Sequence, residues 1–292
     1  MPNSTNNAAS LKISMFRRIM NVGATAFAIG AAVLVILPLL AIFIYLLIKG
    51  VQSLNWAFLT QLPKPPGEVG GGMANAIVGS GMILAMASIV GIPMGIGCGI
   101  YLAEYGRNIF GDVVRFTSDV LNGVPSIVIG IAVYSLIVVR QKHFSAFAGA
   151  AALAIMMVPT VARATEEMLL MVPNNIREAA LGLGIPKWRT TLSISLRTAS
   201  AGVITGCMLA FARVAGETAP LLFTTLGNQY WSKSLNQPTA ALPLQIYTYA
   251  LSPYDDWHKQ AWAGALILIV MIVAAVAAVR IVTSRGTLKG AS

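Results

Sequence analysis

The sequence predicts an all-α, polytopic membrane protein with six transmembrane helices, and two observations carry that reading. Of its 292 residues, 57% are hydrophobic and only 10% are charged, and the mean hydropathy is +0.75, a balance foreign to ordinary soluble domains. The apolar residues also come in successive long runs, and about 20 mainly apolar residues suffice to cross roughly 30 Å of hydrocarbon as a helix.

The spans are expected over 23–48, 75–102, 113–139, 144–171, 199–226 and 262–282. Lys12, Arg17 and Arg18 precede the first as they would a secretory signal, but the run is longer than a signal core and offers no distinct small-residue cleavage site, so a retained helix is expected. The second carries Gly79, Gly81, Gly91, Gly95, Gly97 and Gly99, and small residues let helix backbones approach closely in lipid. Asn122-Gly123-Val124-Pro125 marks a break near the start of the third, and Pro159 a kink in the fourth. The fifth follows a polar interruption, and the sixth runs from Trp262 to Val282. Outside the spans lie a tail at 1–22, a Pro- and Gly-rich loop at 49–72 and a second tail at 284–292.

Basic residues set the orientation. With both termini in the cytoplasm, that side collects Lys12, Arg17, Arg18, Arg107, Arg115, Arg177, Lys187, Arg189, Arg197, Arg280, Arg285 and Lys289, against Lys49, Lys64, Arg140, Lys142, Lys233 and Lys259 outside. The net charge of +10 is thereby spread over several segments next to lipid, which excludes a nucleic-acid role.

Catalytic and metal chemistry have no evident home. Cys98 and Cys207 fall inside apolar runs, His143 and His258 are isolated, and Glu68, Asp255 and Asp256 have no companion that would make a hydrolytic pair. No GxxxxGK[ST] follows Gly70-Gly71-Gly72, so a turn-rich, exposed loop is expected there and not a nucleotide site. No cofactor is expected on this chain.

The interruption from Arg177 to Leu196 reads as a docking element for a separate protein. Asn174 and Asn175 make a turn or cap, Ile176 to Leu183 suits a short amphipathic helix with Glu178 near its positive end, Gly182 and Gly184 allow a reversal, and Pro186 starts a second short helix carrying Trp188. Ala179 and Ala180 leave the backbone free to fit a cleft, which a plain connector would not need. Glu178-Ala179-Ala180, Gly184, Ile194 and Leu196 together resemble the EAA loop of type I ABC importer permeases, here at 173–197, with Arg197 where that pattern commonly has proline. The resemblance covers roughly 72–282. It implies a transmembrane domain at 73–283 of type I importer architecture, docking through Glu178, Ala179, Ala180, Gly184 and Trp188 onto a separate ATPase that would hold ATP and Mg.

Three intramembrane charges remain. Arg213 and Glu217 are one helical turn apart near the middle of the fifth expected span, so they should share a face. Each would cost about 2.5–3.5 kcal/mol if left unpaired in lipid, so both should face the bundle interior or a water-filled path. Arg163, followed by Glu166 and Glu167, lies a turn beyond Pro159, either projecting into that path or snorkelling to the interface. A guanidinium fork suits a tetrahedral oxyanion because it offers paired donors and stays charged, and a carboxylate competing for it would keep binding weak. A packing ion pair is the alternative for Arg213 and Glu217.

The segment around Gly216-Glu217-Thr218-Ala219-Pro220-Leu221, with TGCMLAFAR before it, LFTTLGNQYW after it, VPTVARATEEMLLMVP ahead of the loop and LSPYDDWHKQAWAGALIL ahead of the last span, resembles the A-type permeases of bacterial phosphate-specific ABC transporters. That resemblance implies a multi-pass inner-membrane subunit paired with a C-type permease, two ATPase subunits, a phosphate-binding protein outside and a regulatory partner. Other readings are a permease for sulfate or molybdate, a secondary transporter, and a channel or scaffold; co-purification of an ATPase separates the importers from the rest.

Overall fold

The computed structural model describes residues 15–288. The tail ends, with Lys12 and Lys289, lie outside the described residues, as does the side chain of Arg285. Every regular element among the described residues is a helix, with one isolated bridge between Leu226 and Thr239. The chain divides into two compact units, Met1–Ile48 and Lys49–Ser292. The first contains most of α1 (Met15–Ser53), which overruns the expected 23–48 at both ends. Its Pro38 lies mid-helix, a position tolerated in spanning helices because neighbouring groups satisfy the freed carbonyl.

In the second unit, Asn55 Oδ1 accepts from Phe58 N at 2.7 Å and caps α2 (Trp56–Thr60), whose Phe58 is buried. The Pro- and Gly-rich loop is exposed from Lys64 to Gly70 as expected, but the end of the glycine run is not: Gly71 and Gly72 are buried, and a Cβ on Gly72 would meet Phe58 C at 2.8 Å. The bundle is centred on α3 (Ala74–Glu104) and α7 (Ala146–Leu170). Along α3, Gly91, Gly95 and Gly99 recur at i,i+4, and a Cβ on each would meet Met157, Val161 and Thr165 of α7 at 3.2, 2.6 and 2.5 Å. This is the close approach that small residues permit. Gly81 and Gly97 face open space instead. Gly99→Leu is therefore expected to destabilise the pair by about 1–3 kcal/mol through overpacking, lowering membrane abundance, whereas Gly97→Leu leaves it unchanged. Equal abundance of the two variants would contradict this packing.

The third expected span is broken at its centre. α4 (Ile109–Gly123) ends at Val124, and α5 (Ser126–Val133) continues through a π-helical turn, Tyr134–Val138, into α6 (Val139–Gln141). The halves meet at 104°, because Pro125 has no N–H to extend α4 and holds Val124 extended, at φ −69° and ψ 131°. Among the described residues five helices are long and apolar enough to cross a membrane, and six if the bent pair counts as one span.

The fifth span is displaced from the expected 199–226. It runs Lys187–Ala215 through α9 (Lys187–Thr190), a π-helical turn at Thr191–Ser195 and α10 (Leu196–Ala215). Pro220 ends it: its ring would clash with the Gly216 carbonyl four residues back. The chain breaks at Gly216–Thr218 and restarts as α11 (Ala219–Thr224). The two half-helices that follow the breaks pack together, a Cβ on Gly130 of α5 meeting Pro220 Cα at 2.7 Å. α12 (Leu242–Ala250) and α13 (Asp255–Leu288) complete the unit, with Tyr249 stacked on Trp257 at 4.3 Å.

Candidate functional site

The loop between the fourth and fifth spans is a helix–turn–helix. Asn174 and Asn175 do not cap it; they form the first turn of α8 (Asn174–Gly182), behind Pro173. Gly184 adopts φ +77°, Ile185 N donates to Ala180 O at 3.2 Å, and Gly184 N donates to Leu181 O at 2.9 Å. These paired bonds close a Schellman motif, which requires a left-handed residue at the Gly184 position. Pro186 then leads directly into α9, whose N–H is not needed at that point. The face turned outward consists of Glu178, Ala179, Leu181, Leu183 and Trp188, with Leu183 81% exposed. Ala180 is not part of that face. It is buried, and its smallness serves the packing beneath the turn, since residues i and i+1 of a helix point in different directions. Leu183 had no signal in the sequence beyond its place before the glycine.

A second group sits where α4 crosses α7. Glu166 is 3% exposed and accepts from Arg115 Nε at 2.6 Å and Arg163 Nη1 at 3.3 Å. Arg163 Nε also reaches Asp119 at 3.1 Å, and Arg115 reaches Asp112 and the Leu102 and Gly106 carbonyls, each at 3.0 Å. Thr160 donates to Asn122 at 3.0 Å beside them. Arg163 is thus committed to two carboxylates, and Glu166 is the group between two cations, Arg115 and Arg163. Glu166→Gln removes a charge from a buried pair, a change worth up to about 3–5 kcal/mol when fully buried and less here, because the arginines are 26% and 35% exposed. Reduced folded protein in the membrane is the expected result. Full abundance with lost transport would place Glu166 on the path instead.

Arg213 and Glu217 do not share a helical face. Arg213 is in the last turn of α10, where a cation suits the helix dipole. Glu217 falls in the break beyond it, its N–H bonded to Val214 O at 3.1 Å. Among the described residues neither side chain has a hydrogen bond or ion pair, so no packing pair forms between them. Ala199, Val203, Ala210 and Val214 bury one side of α10, while Ala201, Thr205, Leu209 and Arg213, at i,i+4 spacing, form an exposed stripe. Arg213 therefore offers a free guanidinium fork on the open side of the bundle, in contrast to Arg163.

A helical membrane domain broken in its third span and after its fifth, with a glycine-reversed helix pair between the fourth and fifth, has the architecture of an ABC importer permease. Residues 95–286 match the family described as binding-protein-dependent transport system inner membrane component. The phosphate transport system permease protein PstA of Yersinia pestis is 49% identical over 226 residues, 77% of each chain. That of Xylella fastidiosa Temecula1 is 44% identical over 269 residues, 91% of this chain and 93% of its own. The inward-facing MetNI methionine ABC transporter aligns with 73% of this chain and 94% of its own at a TM-score of 0.55 and 17% identity, a likeness of fold. An amino acid ABC transporter with histidines gives the same score and identity over 73% and 92%. The chain belongs to the binding-protein-dependent inner membrane components, in the group of the PstA phosphate transport permeases.

Proposed function

We propose that this chain is one of two membrane subunits lining the path of an ATP-driven phosphate importer. The reading rests on the unpaired Arg213 on the open stripe of α10, in a chain whose relatives are named phosphate permeases. A C-type companion permease covers that stripe and puts Arg213 at the seam between subunits. A phosphate-binding protein delivers the anion from outside, and a regulatory partner senses transport. Two ATPase subunits, holding ATP and Mg, receive the face made by Glu178, Ala179, Leu183 and Trp188.

ATP-driven closure of those subunits moves the turn and opens the path outward; hydrolysis and release return it inward. Arg213 binds two phosphate oxygens through its fork. Glu217, in the break next to it, competes for the same guanidinium, which keeps the anion exchangeable. Arg163 enters this scheme only if the anion displaces Asp119 or Glu166.

Both termini are cytoplasmic in this scheme. Ser234 and Arg189 are both exposed and fall on opposite sides in that topology. In a background without Cys98 and Cys207, Ser234→Cys should react with an impermeant thiol reagent from outside and Arg189→Cys should not. Labelling of Arg189→Cys from outside would reverse the topology. For the function itself, affinity-tagged protein should bring down an ATPase subunit, and uptake of labelled phosphate should resist excess sulfate and molybdate. Capture without the ATPase, or uptake suppressed by sulfate, would overturn the reading.

A further inference from the structure

The two arms of the Gly184 turn are both fastened to one helix end. On the first arm, Arg177 of α8 pairs with Glu104 at the end of α3, at 3.1 Å, with side-chain exposures of only 16% and 8%. The same guanidinium donates to Leu169 O at 2.6 Å, Val172 O at 2.9 Å and Asn174 Oδ1 at 3.2 Å. It thereby gives a further donor to the Leu169 carbonyl in the last turn of α7 and one to the Val172 carbonyl just beyond it. On the second arm, Lys187 of α9 donates to Glu104 O at 2.7 Å and lies 4.3 Å from the Tyr105 ring centroid. Both cations sit at the negative ends of α3 and α7, where the helix dipoles favour them.

The chain itself connects the turn to α10, yet that connection passes through the π-helical turn at Thr191–Ser195. Single π-helical turns of this kind interrupt the regular ladder of an α-helix and are among the few identifiable places where helices kink. Within it, Ser195 Oγ is buried without a hydrogen-bond partner. Through Glu104 both arms are thus held to α3, and α3 is in turn packed closely on α7 at Gly91, Gly95 and Gly99.

We propose that Glu104, Arg177 and Lys187 form a clasp that unites the docking turn with the ends of α3 and α7 as one rigid body. Force applied to the turn is then delivered to the second and fourth spans, while the π-helical turn lets α10 and its Arg213 reorient against them. The inference rests on the proposed contact between the turn and the ATPase. All three are positioning residues, acting through the helices they hold.

The test uses the complete purified transporter in lipid vesicles, with phosphate uptake and ATP hydrolysis measured on the same sample. Glu104→Gln should assemble and hydrolyse ATP, but phosphate moved per ATP should fall at least about fivefold, the lower end of couplings between distant sites. An unchanged ratio, with or without a lower yield of complex, would reduce the clasp to a stability element and overturn the proposal. The second variant, Glu104→Cys/Arg177→Cys in the background without Cys98 and Cys207, should likewise be uncoupled until a short bifunctional thiol reagent bridges the two positions, which should restore the ratio. If bridging instead stops the remaining uptake, the contact opens in every cycle and the rigid body is wrong. Failure of the docking reading is separate: it would appear as an ATPase that does not need the turn to co-purify.

Discussion

Arg213→Gln is expected to abolish phosphate uptake while leaving membrane abundance and ATPase co-purification unchanged. In the proposed path the guanidinium would supply two charge-assisted hydrogen bonds to an oxyanion, each worth about 1.5–3 kcal/mol, so losing both should lower occupancy of the path by more than about a hundredfold. Nothing else in the chain depends on it, because the side chain has no partner among the described residues. Arg213→Lys should restore little, since an ammonium is a point charge without the paired fork. Glu217→Gln should slow transport by leaving Arg213 uncontested, so that phosphate leaves late. The Arg213→Gln/Glu217→Gln double variant should remain inactive. Labelled-phosphate uptake, normalised to the amount of complex, decides this, and recovery in the double variant would make the two residues a compensating pair after all.

Gly184→Leu has the second large effect. Its φ of +77° costs an L residue about 1–2 kcal/mol, and relieving that strain breaks the bonds from Ile185 to Ala180 and from Gly184 to Leu181. The arms then no longer present Leu183 and Trp188 together, so the ATPase should be lost on purification and uptake should fall to background. Ala180→Asp should act similarly, by burying a charge beneath the turn rather than by blocking a cleft. Gly182→Ala is the control: no atom lies within 4 Å of a Cβ there, and α8 should gain helix propensity. Co-purification of the ATPase with Gly184→Leu at the unmodified level would contradict the assigned geometry.

The helical bundle was legible because apolar runs of sufficient length have few alternatives in lipid. The break at Val124-Pro125 was legible too, since proline announces it, but the sequence places it near the start of the span and gives no angle, whereas the halves meet at 104°. Two readings failed for identifiable reasons. Residues 187–196 carry Lys187, Arg189, Thr190 and Thr191 and read as a separate short helix of the interruption, yet they run on without a break into the fifth span. Arg213 and Glu217 have the spacing of a same-face pair, yet Pro220 ends the helix between them. Glu166 illustrates what spacing cannot reveal: its partner Arg115 is 51 residues away, and Glu104 and Arg177 are separated by 73. The turn at Gly184 was the most legible part of the site, because a glycine between two short amphipathic helices has a backbone reason to be there.

The most direct measurement is phosphate import into vesicles containing this chain, the C-type permease and the ATPase subunits, with the phosphate-binding protein outside and ATP enclosed. Labelled phosphate should accumulate against its gradient only when ATP and the binding protein are both present, and accumulation should vanish with Arg213→Gln. Uptake that proceeds without ATP, or that persists in full with Arg213→Gln, would contradict the account.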